Sequence, residues 1–161
     1  MADLYIMCGP AGSGKSTWIQ NHVKPNAAIV SRDQIRFSLI KPDEDYFSKE
    51  NDVKRIFWFK INEALNNGQD TFVDQTSLTR KSREYLLLHV SGYDHANVIW
   101  INVPLKQAIA QNETRKPGWA YVPEHVIREM YNEFEEPQLD EGFYRIFKYE
   151  NNKMTMKGGS R

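Results

Sequence analysis

Nine consecutive residues, Gly9-Pro10-Ala11-Gly12-Ser13-Gly14-Lys15-Ser16-Thr17, meet every fixed position of the phosphate-binding loop G-x-x-x-x-G-K-[ST]. Each residue type there has a chemical reason. Glycines at 9, 12 and 14 allow positive φ and close approach of backbone to an anion. The N–H groups around Ser13 can then converge on a β-phosphate as a nest. Lys15 is placed to bridge the β- and γ-phosphates, and the Ser16 hydroxyl to reach Mg²⁺. The helix that Thr17 enters adds a favourable dipole. The stretch predicts nucleotide binding.

Phosphoryl transfer needs further groups, and the sequence offers a few. Asp74 ends the run Thr71-Phe72-Val73 in Walker-B fashion, where an open α/β sheet places its ligands. The same residue type also serves there as a turn or capping aspartate. Asp33 and Arg36 are three apart, hence on one helix face. Facing the phosphate loop, they offer a carboxylate as base and a guanidinium as anion fork. A first-turn acid in an ordinary surface ion pair has the same spacing. Arg115 and Lys116 lie in a basic stretch from Glu113 to Val122, suited to a mobile lid whose arginine stabilises charge on the transferring group. A merely solvated basic loop would read alike. Trp119 and Tyr121 in that stretch fit either a base stack or a lid anchor. Trp58 fits either a partner contact or a half-buried helix position.

The elements that must position these groups follow from patterning. Leu4–Cys8 is a short apolar run, fit for a buried parallel strand, and Thr17–Val23 is helical until Pro25. Ala27–Val30 reads as a strand, and Ser31 with Gln34 as a capping box opening a helix that residues 41–45 break. From Ser48 to Asn67, Val53, Ile56, Phe57, Lys60, Ile61, Ala64 and Leu65 form a mostly apolar stripe. Strands at Thr71–Asp74 and Asn97–Val103 flank a helix from Arg80 to Val90. Helices at Leu105–Asn112 and after Pro123, and a last strand at Phe143–Tyr149, complete the pattern. The expectation is an α/β fold: an open parallel sheet of the P-loop NTPase type, with helices on both faces and a lid. One domain spans 1–152, and residues 153–161 are expected to be a flexible tail, in the manner of an added peptide.

Composition narrows the class. With 40% hydrophobic and 26% charged residues, the 161-residue chain reads as globular, with no run long enough for a membrane helix and no signal-peptide pattern. A single cysteine, Cys8, fits a reducing cytoplasm. The 21 basic and 21 acidic side chains cancel, which argues against a general nucleic-acid coat but leaves room for a local basic site. The four histidines are scattered, and no zinc site is expected.

Taken together, these segments resemble the kinase domain of the polynucleotide 5′-kinase family, including its bacteriophage kinase/phosphatase members. GPAGSGKSTW is similar to the family's phosphate loop, and SRDQIR to its Arg-Asp-x-x-Arg acceptor motif. DYFSKE (45–50) resembles the entry to the long helix, VDQTSLTRKSR (73–83) the Asp-x-Thr-Asn segment and its later arginine, and NETR (112–115) with VPEHVIREMY the lid and the helix after it. EGF at 141–143 fits the segment before the last strand. The resemblance implies that Asp33 is the general base on a 5′-hydroxyl, that Arg36 binds the acceptor's 3′-phosphate, and that Arg115 reaches the donor phosphates. It implies ATP as donor, Mg²⁺ held at Ser16, and nucleic-acid 5′ ends as substrate; a homo-oligomer is compatible with it. Gln111 and Ser77 depart from the family's pattern, the lid is slightly longer, and no phosphatase domain lies within these residues. Two other functions fit the same loop: a kinase of a nucleoside or other small hydroxyl compound, and an ATP-binding or ATP-hydrolysing module without acceptor.

Overall fold

A computed structural model describes residues 2–118 and 120–159. The phosphate-loop residues sit at the carboxyl end of a central strand, and the sheet is best built outward from there. β1 (Asp3–Cys8) pairs in parallel with β3 (Thr71–Asp74) on one side and β4 (His95–Ile101) on the other. β2 (Ala28–Ser31) adds to β3, and β5 (Arg145–Glu150) to β4, both parallel. The six-stranded order is β2-β3-β1-β4-β5-β6. Because β2, β3 and β1 run the same way, their carboxyl ends open at one edge. Register sets Ser31 beside Asp74 there.

Burial on both faces explains the apolar character of the strands. On one face Leu4, Ile6, Val73, Val98 and Ile146 meet Phe57 and Ile61 of α3 (Glu50–Asn66) and Leu86 of α4 (Arg80–His89). On the other, Met7, Ile99 and Ile101 meet Trp18 and Ile19 of α1 (Lys15–His22). α2 (Arg32–Leu39) is capped by Ser31, whose Oγ accepts from the Gln34 N–H at 3.3 Å. That is half of the expected capping box. α5 (Leu105–Glu113) and α6 (Glu124–Glu133) form a third apolar cluster, Ala108 and Ile127 closing on Ala11 of the loop. No helix among the described residues is long and apolar enough to cross a membrane.

The carboxyl-terminal stretch corrects the expected boundary. β6 (Lys153–Gly159) is not a loose tail; it pairs antiparallel with β5, so the sheet is mixed at this edge. Asn151 and Asn152 turn the hairpin at φ 51° and 59°, the left-handed pair that a tight two-residue turn demands. The two glycines near the end had suggested flexibility, yet Gly158 pairs with Ile146 and Gly159 with Arg145.

Candidate active site

The phosphate loop owes its curvature to two positions in particular. Gly14 takes φ +100°, which disfavours any side chain. A Cβ on Gly12 would stand 2.4 Å from the Ala108 carbonyl oxygen, so the loop can lie against α5 only with glycine there. Gly9 is tied down by its N–H, which donates to the Thr76 carbonyl at 2.9 Å. Lys15 folds under the loop, its Nζ donating to the Gly9 and Pro10 carbonyls at 2.8 and 2.9 Å. Burial pushes its ammonium below the ordinary lysine value; Asp74 and Asp33 oppose this and Arg115 adds to it. Those three charges therefore act on the same ammonium. Ser13 is buried with no partner for its hydroxyl among the described residues, and Thr17 is exposed on the first turn of α1.

Ser16, in the first turn of α1, meets Asp74 at the end of β3. The Ser16 Oγ donates to Asp74 Oδ2 at 2.9 Å. Two hard oxygens side by side suit Mg²⁺, which keeps few protein ligands and relies on substrate phosphates for others. Among the described residues, no group of three or more histidine, cysteine or acidic side chains stands ready to hold a metal by itself. The arrangement thus fits a cation that arrives with a nucleotide.

A cavity of about 840 Å³ opens beside this pair, lined by Lys15, Ser16, Asp74, Asp33, Arg36 and Arg115 among others. The carboxylate of Asp33, in the first turn of α2, is 59% exposed, and its Oδ1 takes two hydrogen bonds: from Arg36 Nη1 at 2.5 Å and from the Tyr46 hydroxyl at 2.6 Å. Among the described residues no group donates to Oδ2. One oxygen is therefore held, and the other is open to a further partner.

Arg36, expected to bind an acceptor phosphate, is engaged by protein groups in this structure. Its side chain is only 5% exposed, and its donors are committed. Nε donates to Glu50 Oε2 at 3.1 Å, and Nη2 reaches both Glu50 oxygens at 2.8 and 2.9 Å. Nη1 serves Asp33 and, at 2.7 Å, the Tyr46 oxygen, while the Tyr46 ring lies 4.3 Å from the guanidinium carbon. In this structure Arg36 holds Asp33 Oδ1 and the Glu50 carboxylate rather than presenting an open fork. Glu50 also accepts from Arg32, Nε at 3.1 Å and Nη2 at 2.5 Å. Burial alone would raise the Glu50 carboxyl, but the hydrogen bonds and charges of Arg36 and Arg32 outweigh it and hold it below the ordinary value. Burial and the Asp33 carboxylate push the Tyr46 phenol up, so it stays protonated and can donate.

The loop after α5 closes one side of the cavity through Arg115, Ala120, Tyr121 and Val122. Its base is clamped by buried Asn112, whose Nδ2 donates to the Val122 carbonyl at 2.6 Å and whose Oδ1 accepts from the Val122 N–H at 3.0 Å. The two basic residues divide. Arg115 lines the cavity with one long contact, 3.4 Å, to the Ala120 carbonyl. Lys116 pairs with Glu113 at 3.1 Å and sits 4.7 Å from the Tyr121 ring centroid. Trp119 lies outside the described residues. Trp58 does not line the cavity; it stacks on His89 at 3.9 Å between α3 and α4, a packing role.

Behind the loop, Arg83 is fully buried and pairs with Glu141, Nε to Oε1 at 2.8 Å and Nη2 to Oε2 at 3.1 Å. Its Nη1 donates to the Ser77 carbonyl at 2.9 Å, one residue from the Thr76 carbonyl that holds Gly9. Burial pushes the neighbouring Cys8 thiol up to about 12. The sequence carries no local sign of the Arg83–Glu141 pair or of Glu50 and Tyr46 around Arg36, since the partners lie 58, 14 and 10 residues apart.

With this geometry in place, comparison with known proteins fixes the family. A family model described as an AAA domain, AAA_33, matches residues 4–137. The chain belongs to this family. The matched part of this AAA domain runs from β1 past α6 and so takes in the whole cavity. No curated protein matches the sequence. Among solved structures, a chain of the Pnkp1/Rnl/Hen1 RNA repair complex superposes with a TM-score of 0.69 at 20% identity, over 82% of this chain and 43% of that one. A gluconokinase from Sinorhizobium meliloti 1021 gives 0.60 at 15%, over 91% and 82%. A structure of the PezAT toxin–antitoxin system of Streptococcus pneumoniae gives 0.67 at 15%, over 98% and 70%. The present chain thus spans less than half the length of the repair-complex chain it resembles. These likenesses show the fold alone, a mostly parallel α/β sheet flanked by helices.

Proposed function

We propose that this AAA domain transfers the γ-phosphoryl group of ATP to the 5′-hydroxyl of a polynucleotide end. The observation that carries the reading is Asp33, whose Oδ1 is held by Arg36 and Tyr46 while its Oδ2 takes no bond from the described residues, in the same cavity as Lys15 and Ser16. A module that only binds ATP has no use for a carboxylate so placed. In the transfer, the 5′-oxygen forms the new bond to the γ-phosphorus as the bond to the β,γ-bridging oxygen breaks, releasing ADP. Asp33 Oδ2 takes the hydroxyl proton as that bond forms. Lys15 turns from the loop carbonyls to the donor phosphates, and Arg115 faces the charge on the group in transit. Ser16 and Asp74 would hold Mg²⁺, which neutralises the phosphate oxygens when bound. The polynucleotide acceptor rests on the resemblance of Arg32, Asp33 and Arg36 to the 5′-kinase motif, and the RNA repair complex among the similar structures agrees with it.

One observation favours a second reading, a kinase for a small polyhydroxy compound: Arg36, the residue expected to hold the acceptor's 3′-phosphate, is engaged by Glu50. The experiment is transfer from γ-labelled ATP to four acceptors: a 5′-hydroxyl oligonucleotide, a 3′-nucleotide, a nucleoside and a sugar acid. Preference for the oligonucleotide supports the 5′-kinase. Label on the sugar acid or nucleoside alone replaces it with the small-molecule kinase.

A further inference from the structure

Phe47 lines the cavity and is 62% exposed, although a ring of that size is ordinarily withdrawn from water. It stands in the turn-rich segment between α2 and α3, next in sequence to Tyr46, which holds the base. The ring is not loosely placed. Tyr46 meets it edge-on, with centroids 4.7 Å apart at 88°. The Arg36 guanidinium carbon is 5.6 Å from its centroid, and that guanidinium is itself fixed by Glu50 and Asp33. A hydrogen-bonded cation and a second ring thus back Phe47, which itself lines the cavity.

We infer that Phe47 is the stacking platform for the base of the acceptor's 5′-terminal nucleoside. The inference rests on the polynucleotide reading above and names how that acceptor is recognised. A phenyl ring offers no hydrogen bond, so it selects a flat, weakly hydrated partner. In a 5′-terminal nucleoside the base is joined to the same sugar as the reacting hydroxyl. With the hydroxyl at Asp33, the base lies within one sugar of it, and Phe47, next in sequence to the Tyr46 that contacts Asp33, lines the same cavity. Arg36 reaches Asp33 and Phe47 together and so sets the platform beside the proton acceptor. Stacking on an aromatic side chain tolerates any base, which suits an enzyme acting on ends of varied sequence.

The test compares two oligonucleotides that differ only at the 5′ residue, one with a normal nucleoside and one abasic, with the wild type, Phe47→Ala and Phe47→Tyr. Alanine substitution at such platforms weakens binding roughly 5- to 150-fold. Phe47→Ala should lower kcat/KM for the normal acceptor by that factor through KM. It should leave the abasic acceptor and the KM for ATP unchanged, and Phe47→Tyr should behave as wild type. Equilibrium binding of the two oligonucleotides, followed by fluorescence anisotropy, should show the same split. Equal loss on both acceptors, or no loss on either, overturns the platform while wild-type transfer keeps the 5′-kinase reading intact. No label on any oligonucleotide with wild-type enzyme overturns both.

Discussion

Glu50→Ala should destabilise the protein more than any exposed substitution, because it strands two arginines. In the native protein five hydrogen bonds reach this carboxylate, two from Arg32 and three from Arg36. The Arg36 side chain is 5% exposed and that of Glu50 20%. Removing one partner of a buried ion pair costs about 3–5 kcal/mol, because the other charge is left without compensation. Arg32 is better hydrated than Arg36, so the lower end applies, about 3 kcal/mol. For a chain of this size that lowers Tm by about 6–12 °C. Thermal unfolding followed by far-ultraviolet circular dichroism reads it directly. The pH dependence carries the same signature. The folded-state pKa of Glu50 is depressed, so its contribution is present above the unfolded value, near 4.3, and is lost as pH falls through the folded value. Wild type should therefore lose its advantage over Glu50→Gln on acidification below about pH 4.3. A Tm change below about 2 °C in Glu50→Ala, equivalent to less than about 1 kcal/mol, would refute the claim that this network stabilises the fold around Asp33.

Three further outcomes follow from the site. Lys15→Ala should lower transfer by more than about 100-fold, measured as kcat with saturating labelled ATP, since the lysine's charge must follow the γ-phosphoryl group; unchanged kcat would sink the phosphate-loop reading. Arg115→Ala should reduce kcat by about 10- to 1000-fold without lowering Tm, whereas Lys116→Ala, whose charge is spent on Glu113 and Tyr121, should reduce it far less; equal effects would make the loop a plain basic surface. Cys8, buried with its thiol pushed up to about 12, should resist an aromatic disulfide reagent at neutral pH until the protein is denatured, and rapid native labelling would contradict the packing behind the loop.

What was legible in the sequence is what depends on neighbours along the chain. The phosphate loop announces itself because its glycines, lysine and serine must be contiguous, and the strand and helix around it follow from local apolar periodicity. Asp74 was recognisable as the end of a strand, and its bond to Ser16 brings together two residues 58 apart that the motif itself leads one to pair. Arg36 shows the limit. Its spacing from Asp33 correctly gave their contact, but its availability depended on Glu50, which no periodicity links to α2. The same holds for Asn112, whose clamp on Val122 shapes the lid, and for Arg83 and Glu141, whose pairing needs the whole fold. β6 was missed for a different reason: glycine near a chain end reads as flexibility, and only the Asn151-Asn152 turn in the left-handed region reveals the hairpin.

The central claim is that Asp33 is the proton acceptor for transfer to a 5′-hydroxyl. Asp33→Asn keeps the shape of the side chain and its contacts with Arg36 while removing the charge that accepts a proton. Single-turnover transfer from γ-labelled ATP to a 5′-hydroxyl oligonucleotide, with ATP affinity measured in parallel, tests it most directly. Asp33→Asn should slow transfer by roughly 10²- to 10⁴-fold with ATP affinity unchanged. Transfer at the wild-type rate by Asp33→Asn, or ATP hydrolysis by both proteins with no label on the oligonucleotide, would contradict it.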